Sequence, residues 1–579
     1  MNMGKLIATV VIAATACAYA GRCGSEAGTT FRTLGAMIDV SRGRVLRVDY
    51  LKGRFERMRR MGYNAVMLYA EDAFRLEGEP KWGYMRGGYT EADIGELKRH
   101  ADGIGLSMIP CIETLGHMER PLRWPEYDSV KNTDSTLLVG EERTYELIDK
   151  MVAFWARAVG GTRIHVGMDE AVGFAGAKYA AKNGRRPDLD VFLGHLARVN
   201  DICARHGFTE PIIWSDMLYR VGSKTHDYYD SSAKVDPALA GRIPGNVRLR
   251  YWDYYHAEQT YYEGMIDGHR RLGSEPILAG GIQVWQHFFH DREKTLATMK
   301  AMVSAAKAKG VEELFFTLWG DDGAYATPDA SEEGLFACAE LAAGRTADPT
   351  DENSARFREI TGLDYRAFVV LGDVTRHYGD EWPDMILEAA TLYDDPLHCA
   401  NYRNWLARRP SLTTDRRFYC ARYMDAAWRD SGENVMADHR RVLSNCIRLG
   451  ERLPPAVRTL VTVLSEKLEY QARLLSAWRD GDRAALREIA DVALPRLVRD
   501  MRAFMAAYRA DWMATSQPFG LGLVQKRNAG QLERLEEAKR RLDEYLDGTS
   551  ATIEELDEAM APYGEYDARL PFGTPWLWF

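Results

Sequence analysis

The sequence predicts an α/β fold, a (β/α)8 TIM barrel followed by an all-α carboxy-terminal domain. Eight short β-prone runs alternate with amphipathic helical segments, and such alternation is typical of a parallel sheet. Polar side chains stand at the end of nearly every run, as they do at the carboxyl rim of a barrel. After residue 345 the β-prone runs give way to long helical patterns. We therefore expect a barrel domain over 33–345 and a helical domain over 346–579.

Each candidate strand is a short run of β-branched, aromatic and aliphatic residues. The eight predicted strands are Thr33–Asp39, Ala65–Asp72, Leu106–Thr114, Arg163–Glu170, Glu210–Met217, Val247–Tyr254, Pro276–Trp285 and Glu313–Gly320. Between them the apolar residues recur with helical spacing, which predicts helices at Tyr50–Met61 and Asp190–His206 among others.

The carboxy-terminal part shows long helical stripes flanked by paired Glu and Arg residues. The apolar positions at helical spacing are Leu497, Met501, Phe504, Met505, Tyr508 and Trp512 in one segment and Leu532, Leu535, Ala538, Leu542 and Tyr545 in another. Such stripes predict helices that pack together and bury their apolar faces.

Composition predicts a soluble globular chain of at least two domains. The chain has 579 residues, 46% of them apolar and 27% charged, with a net charge of −9. No long basic run is present, so nucleic acid is not an expected partner. The cysteines lack the CxxC or Cys/His spacing of metal sites, and no phosphate-binding loop is found, so we expect no metal and no cofactor.

The amino terminus has the features of a signal peptide over residues 1–20. Lys5 precedes an apolar run from Leu6 to Ala18, and Ala18-Tyr19-Ala20 forms an A-x-A cleavage site. Export to the periplasm or the medium is therefore predicted. An alternative is a lipoprotein signal that ends before Cys17, in which case Cys17 would carry the lipid anchor.

The most informative stretch is the fourth predicted strand, because it ends in two adjacent carboxylates, Asp169 and Glu170. A strand interior cannot hold an unpaired charge cheaply, so both acids are expected at the rim of the sheet. The alternative reading is that one of them caps the next helix.

The other strand ends place aromatic, acidic and basic side chains on the same rim. They are Arg42 after strand one, His117 after strand three, Trp214 and Asp216 at strand five, Trp252 and Tyr254 at strand six, Trp285 at strand seven, and Trp319 and Asp321 at strand eight; His165 lies within strand four. Singly, each could be a helix cap or a core residue. Together, Trp rings and carboxylates are what a sugar-binding pocket requires, since indoles stack on pyranose C–H bonds and carboxylates accept hydrogen bonds from sugar hydroxyls.

Several motifs are specific enough to compare with known families. They are Tyr89-Thr90-Glu91-Ala92-Asp93-Ile94, Ile109-Pro110, Thr114-Leu115-Gly116-His117, His165-x-Gly167-x-Asp169-Glu170, Tyr69-Ala70-Glu71-Asp72-Ala73-Phe74, Trp252-Asp253-Tyr254 and Gln517-Pro518-Phe519-Gly520. Together they resemble glycoside hydrolase family 20, the β-N-acetylhexosaminidases, and most closely its hexosaminidase D-like branch. The chain departs from the family at Met168, where a second glycine is usual. The α/β domain that precedes the barrel in many members is not expected, because Arg42 follows closely after the signal segment.

The resemblance implies an exo-acting enzyme that removes terminal β-linked GlcNAc or GalNAc from glycans and glycoconjugates. Glu170 would be the general acid and base, and Asp169 would orient the substrate's 2-acetamido group. The acetamido oxygen would attack the anomeric carbon, which gives an oxazoline intermediate and net retention, a substrate-assisted exception to the two-carboxylate scheme. A homodimer is expected by analogy alone.

The resemblance also implies roles for the other rim residues. Arg42 would bind the 3- and 4-hydroxyls, Asp321 the 4- and 6-hydroxyls, and Tyr254 the acetamido oxygen. The remaining residues are Trp214, Trp252, Trp285 and Trp319 as pocket walls, His117 and His165 as supports for the carboxylates or simply buried histidines, and Asp216 as a less certain substrate contact.

One observation favours substrate assistance independently of the resemblance. Strand seven, where the usual two-carboxylate barrel glycosidase places its nucleophile, contains no carboxylate between Ala279 and Trp285. Two alternatives stay open. One is another barrel β-glycosidase that uses Glu113 or Asp321 as its nucleophile, and the other is a catalytically inactive glycan-binding protein.

Overall fold

The computed structural model describes residues 31–232, 235, 237–321, 325–375, 387–400, 402–403 and 432–558. The predicted signal segment and Cys17 lie outside these residues, so export and lipid anchoring stay predictions. The predicted domain boundaries likewise stay predictions.

Eight parallel strands close into a barrel in the order of the sequence, as predicted. They are β1 (Thr33–Asp39), β2 (Ala65–Ala70), β3 (Ser107–Ile112), β4 (Arg163–His165), β5 (Glu210–Trp214), β6 (Arg248–Trp252), β7 (Ile277–Gly281) and β8 (Glu313–Leu318). Closure comes from β1, which pairs with both β2 and β8. Every carboxyl end therefore faces the same rim, and the loops that follow the strands carry the predicted site.

Helices surround the barrel and connect successive strands. In chain order they are Val48–Met61, Glu91–Gly103, Glu119–Leu122, Glu142–Ala158, Ala177–Asn183, Asp188–Arg205, Asp216–Gly222, Gln259–Arg271, Arg292–Lys309 and Glu332–Ala342, with 3-10 turns at Pro125–Tyr127, Pro237–Arg242 and Pro328–Ser331. Glu91–Gly103 shows why such helices begin where they do. Thr90 accepts a hydrogen bond from the Asp93 N–H, and the Asp93 side chain accepts one from the Thr90 N–H, which completes a capping box.

Large side chains fill the barrel interior, and small residues on neighbouring strands leave room for them. Gly35 on β1 faces Phe315 on β8, and a Cβ atom at position 35 would lie 2.2 Å from the Phe315 ring. Arg250, fully buried on β6, lies 4.4 Å from the Phe315 ring and 4.8 Å from the Trp214 ring. Burial lowers the pKa of Arg250 to about 10. The barrel centre is therefore filled by side chains, and the carboxyl rim is where barrels of this kind carry their active sites.

Several strands end earlier than predicted, and β4 differs most. It was predicted to reach Glu170 but ends at His165. The chain beyond it cannot continue as a strand because Gly167, Met168 and Glu170 have φ angles of 68°, 76° and 45°. Asp216 was predicted within a strand and instead begins the helix Asp216–Gly222.

The carboxy-terminal region is helical in the described part, as predicted. Its helices are Asp351–Thr361, Tyr365–Leu371, Leu387–Tyr393, Gly432–Leu449, Pro455–Asp480, Arg483–Glu488, Leu494–Thr515, Leu521–Leu546 and Glu554–Asp557, with 3-10 turns at Gly372–Thr375 and Gly450–Arg452 and a π-helical turn at Ile489–Ala493. Trp512 and Leu542, from the two predicted apolar stripes, are both fully buried. Within the described chain, no helix is both long and apolar enough to cross a membrane.

The helical region contacts the loop that follows β1. The N–H of Gln517 donates to the Val45 carbonyl at 2.8 Å, and the Arg47 N–H donates to the Thr515 carbonyl at 2.9 Å. Gly520, with a φ of 90°, lies so near this loop that a Cβ atom there would be 1.8 Å from the Gly43 carbonyl oxygen. The barrel rim and the helices are thus joined directly beside Arg42.

Candidate active site

The segment after β4 adopts a left-handed backbone conformation, which places two carboxylates at the rim. Gly167 lies directly over Glu113, so that a Cβ atom there would be 1.9 Å from the Glu113 Oε2 atom. Met168 takes a φ of 76°, a left-handed conformation that glycine adopts most easily. Its N–H donates to Glu113 Oε2 at 3.1 Å. The buried carboxyl group of Glu113 therefore fixes the turn that presents Asp169 and Glu170.

Asp169 is nearly buried and faces His117. Its Oδ2 atom lies 3.3 Å from His117 Nε2, and the Asp169 side chain is 9% exposed. Burial by itself disfavours the charged forms of both groups, yet their mutual attraction prevails. It raises the pKa of His117 well above its ordinary value and lowers that of Asp169. Asp169 Oδ1 has no hydrogen-bond partner among the described residues, so it is available to a donor on a ligand.

Glu170 is the more exposed of the two acids, with a side chain 46% exposed. Its N–H donates to Asp216 Oδ2 at 3.0 Å, and Arg220 donates to the same oxygen through Nε at 3.0 Å. Arg220 Nη2 lies 3.5 Å from Glu170 Oε1, and His117 Nε2 lies 3.7 Å from Glu170 Oε2. The Glu170 carboxylate thus stands between two nitrogen groups at the solvent boundary.

Arg42 lies at the floor of the same rim among carboxylates. Its Nη1 atom is 2.9 Å from Asp321 Oδ1 and its Nε atom 3.3 Å from Glu71 Oε1. Asp39 is 3.9 Å away and fixes the turn through the N–H of Arg42. Burial raises the pKa of Glu71 to about 7, against the opposing effect of Arg42. Arg42 Nη2 also approaches His117 Nδ1 at 3.5 Å, which links this cluster to Asp169.

The predicted aromatic residues gather in one wall. Trp319 Nε1 donates to the Tyr254 hydroxyl at 2.9 Å, and the Arg42 guanidinium lies 4.7 Å over the Trp319 ring. Trp252 stacks on Tyr254 with ring centroids 5.4 Å apart, and Trp285 packs edge-on against Tyr254 at 5.2 Å. These four residues are nearly buried but keep a small exposed area at the rim.

Three predicted residues lie beneath the rim. Trp214, His165 and Asp216 are fully buried. The Gly167 N–H donates to His165 Nδ1 at 3.1 Å, and burial, with Arg250 and Arg163 nearby, lowers the pKa of His165 well below its ordinary value. The Trp214 ring packs on the His165 ring, with ring centroids 4.5 Å apart. Their positions favour support of the loop after β4 over the substrate contacts predicted for Trp214 and Asp216.

The structure adds residues that the sequence prediction did not include in the site. Glu71 and Asp39 surround Arg42, and Arg220 contacts Glu170. Glu113, named above only as an alternative nucleophile, supports the turn at Gly167. Arg220 had a detectable signal, since it follows Asp216 by four residues at the start of a helix. Among the described residues, no group of three His, Cys, Asp or Glu side chains could hold a metal ion.

Comparison with known proteins finds a family model and two curated relatives. Residues 450–569 match the family model described as the Glycoside Hydrolase 20C C-terminal domain. Hexosaminidase D from Homo sapiens is 26% identical over 217 residues, 36% of this chain and 42% of the human protein. Hexosaminidase D from Bos taurus is also 26% identical over 217 residues, 59% of its length. The alignments thus span less than two thirds of either relative.

Solved structures align over a larger part of the chain at lower identity. The GH20 β-N-acetylhexosaminidase from Streptomyces coelicolor A3(2) is 20% identical, covers 58% of this chain and 70% of its own, and has a TM-score of 0.42. The family-model match and the hexosaminidase D relatives confirm the resemblance that the strand-end motifs indicate. The chain is thus similar to the hexosaminidase D proteins and, over residues 450–569, to the Glycoside Hydrolase 20C C-terminal domain.

Proposed function

We propose that this protein is an exo-acting β-N-acetylhexosaminidase that removes terminal β-linked GlcNAc or GalNAc from glycans by a retaining, substrate-assisted mechanism. The observation that carries the proposal is the state of Asp169. Its carboxylate is charged and nearly buried, and Oδ1 lacks a partner among the described residues. An acetamido N–H would supply the missing donor, and such hydrogen bonds to a carboxylate are among the stronger ones.

The proposed chemistry divides the work between the two acids. Asp169 holds the acetamido group so that its oxygen attacks the anomeric carbon, and the negative charge of Asp169 stabilises the positive charge that develops on the oxazoline. Glu170 gives its proton to the departing glycosidic oxygen and then removes a proton from the water that opens the oxazoline. His117, 3.3 Å from Asp169, fixes that carboxylate.

The other predicted contacts are consistent with a terminal sugar. Arg42 and Asp321 lie together at the rim, where they could take the hydroxyls at C3, C4 and C6. Tyr254 and the rings of Trp252, Trp285 and Trp319 form the wall beside them. A single terminal sugar bound by these residues would give exo action.

The structure weighs against the two-carboxylate alternative. Glu113 is fully buried below Gly167, and one of its oxygens accepts the Met168 N–H, so it cannot reach an anomeric carbon without unfolding the turn. Asp321 is engaged by Arg42 at 2.9 Å, which suits hydroxyl binding more than nucleophilic attack.

Inhibition by a GlcNAc-thiazoline, a stable mimic of the oxazoline, tests the proposal. We expect competitive inhibition of 4-nitrophenyl β-GlcNAc hydrolysis, because an enzyme that forms the oxazoline binds its mimic tightly. Inhibition should weaken in Asp169→Asn, which loses the charge that pairs with the ring nitrogen. Hydrolysis that the thiazoline does not inhibit would contradict substrate assistance and return attention to a carboxylate nucleophile.

Export and a lipid anchor at Cys17 remain predictions from the sequence, and a homodimer remains an expectation by analogy alone. The proposed activity does not depend on them. Terminal β-linked sugars on glycoconjugates are the proposed partners, and nucleic acid is not.

A further inference from the structure

Arg220 occupies a position that the proposed mechanism does not yet use. It lies in the helix Asp216–Gly222, one turn after Asp216, and its guanidinium contacts two acids with two different nitrogens. Nε donates to Asp216 Oδ2 at 3.0 Å, and Nη2 lies 3.5 Å from Glu170 Oε1. Its side chain is 31% exposed, so it stands at the boundary between the buried acid and the open rim.

We propose that Arg220 is a positioning residue for the proton donor: it joins Glu170 to Asp216 and thereby directs the Glu170 carboxyl toward the departing glycosidic oxygen. This inference rests on the proposed function, because it assigns to Glu170 the role of acid. It concerns the leaving-group side of the site and leaves the binding of the terminal sugar to other residues.

The contacts form a closed ring around the backbone of Glu170. The Glu170 N–H donates to Asp216 Oδ2, the same oxygen that Arg220 contacts, and Arg220 returns to the Glu170 side chain. Glu170 has a φ of 45°, a conformation that a non-glycine residue adopts only when its surroundings hold it. The ring therefore fixes the backbone of this half-exposed residue and holds one oxygen of its carboxyl, while His117 Nε2 lies 3.7 Å from the other oxygen.

A simpler role for Arg220 is neutralisation of Asp216, which is fully buried. A point charge beside Asp216 would satisfy that need. The second contact, from Nη2 to Glu170, is explained by the planar fork of a guanidinium, which can reach two carboxylates at once where an ammonium reaches one. The two roles predict different behaviour of Arg220→Lys, which keeps the charge and loses the fork.

Proton donation matters most when the leaving group is a poor one. A dinitrophenolate departs without a proton, whereas a phenolate or a sugar alkoxide departs slowly unless it is protonated. A residue that orients the acid should therefore affect poor leaving groups selectively. General damage to the site would instead lower the rates with all leaving groups by a similar factor.

The experiment compares kcat/KM for phenyl β-GlcNAc and 2,4-dinitrophenyl β-GlcNAc in wild type, Arg220→Met and Arg220→Lys. Arg205→Met is the matched control, since Arg205 pairs with Asp149 on the outside of the barrel. We expect Arg220→Met to lose roughly 10- to 100-fold with the phenyl substrate and less than about 3-fold with the dinitrophenyl substrate. Arg220→Lys should show a smaller loss with the same selectivity, and Arg205→Met should match wild type.

Two results would overturn the inference while leaving the proposed function intact: an equal loss with both substrates in Arg220→Lys, or unchanged kinetics in both Arg220 variants. If Arg220→Met does not fold, Arg220→Lys alone decides, because selective loss supports positioning and full activity with both substrates refutes it. Wild-type enzyme that cleaves neither substrate would overturn the proposed function itself.

Discussion

The guanidinium of Arg44 lies 4.2 Å above the ring of Trp512 and so connects the loop after β1 with the carboxy-terminal helices. The same guanidinium is 3.2 Å from Asp511 and donates to the Tyr508 hydroxyl at 3.1 Å. Arg42 lies two residues earlier in the loop. The helical region therefore holds the segment that places Arg42 beside Asp321, and it forms part of the support of the active site.

Replacement of Arg44 by Met should weaken both stability and substrate binding. Asp511 would lose its cation in a mostly buried position, which costs on the order of 3 kcal/mol in the free energy of unfolding. The looser loop should raise KM for 4-nitrophenyl β-GlcNAc more than it lowers kcat, since Arg42 is proposed to bind hydroxyls in both the ground and transition states. Thermal unfolding and steady-state kinetics measure the two effects.

Arg47→Met is the control for this prediction, because Arg47 is exposed in the same loop and contacts the helices through its backbone N–H. It should resemble wild type in both assays. Unchanged KM in Arg44→Met, despite a lower melting temperature, would show that the helical region stabilises the barrel without positioning Arg42.

Substitution of Gly167 by Ala should disrupt the turn that presents the two acids. A Cβ atom there would lie 1.9 Å from Glu113, which must move although it is buried and hydrogen-bonded. Gly310→Ala is a matched control, because Gly310 has a similar φ of 65° and no atom within 4 Å of the added Cβ. We expect Gly310→Ala to cost about 1 kcal/mol and Gly167→Ala roughly 2 kcal/mol more, with loss of activity.

Chemical denaturation of the two variants measures this difference. Equal destabilisation of Gly167→Ala and Gly310→Ala would mean that the approach of Glu113 to the turn is looser than the structure indicates.

Asp216 gives the protein a dependence of stability on pH that the Asp216→Asn variant would lack. Burial, and then the charge of Asp169, raises the pKa of Asp216 to about 7 in the folded state, above its value in the unfolded chain. The folded state thus holds this proton more tightly, so its stabilising effect is complete below about pH 4 and is lost as the pH rises through 7. The stability of Asp216→Asn should therefore rise relative to that of wild type, by on the order of 4 kcal/mol, between pH 4 and pH 8.

Melting temperatures of wild type and Asp216→Asn at several pH values test this sign. Glu71→Gln should change in the same direction, because burial also raises the pKa of Glu71 to about 7. The assignment would be refuted if the melting temperature of Asp216→Asn, relative to that of wild type, stayed constant or fell between pH 4 and pH 8.

The barrel could be predicted from sequence because its signals are local. The run Thr33–Asp39 is apolar and β-prone, and β1 has these same bounds. The end of β4 could not be predicted in detail, since an αL backbone at Met168 and Glu170 depends on the buried Glu113 and Asp216 that hold it. Residue pattern shows where a strand begins, whereas tertiary hydrogen bonds decide where it stops.

The sequence predicted which residues gather at the rim, but it did not predict how deeply each side chain is buried. Asp169, Glu170, His117 and Arg42 come together at the rim, as the common carboxyl end of parallel strands requires. Trp214 follows the same pattern but lies beneath the rim, because strand ends reveal the edge of a sheet and not the height of each side chain above it. The contact of the helices with the β1 loop had no local signal, since Gly520 and Gly43 are far apart in sequence.

Hydrolysis of 4-nitrophenyl β-GlcNAc and β-GalNAc by wild type, Glu170→Gln and Asp169→Asn tests the central claim most directly. We predict turnover by wild type and a loss of roughly 100- to 10,000-fold in kcat for each variant, the size expected for acid–base and electrostatic contributions. Wild-type enzyme that leaves both substrates intact but cleaves a β-glucoside or β-galactoside would contradict the claim.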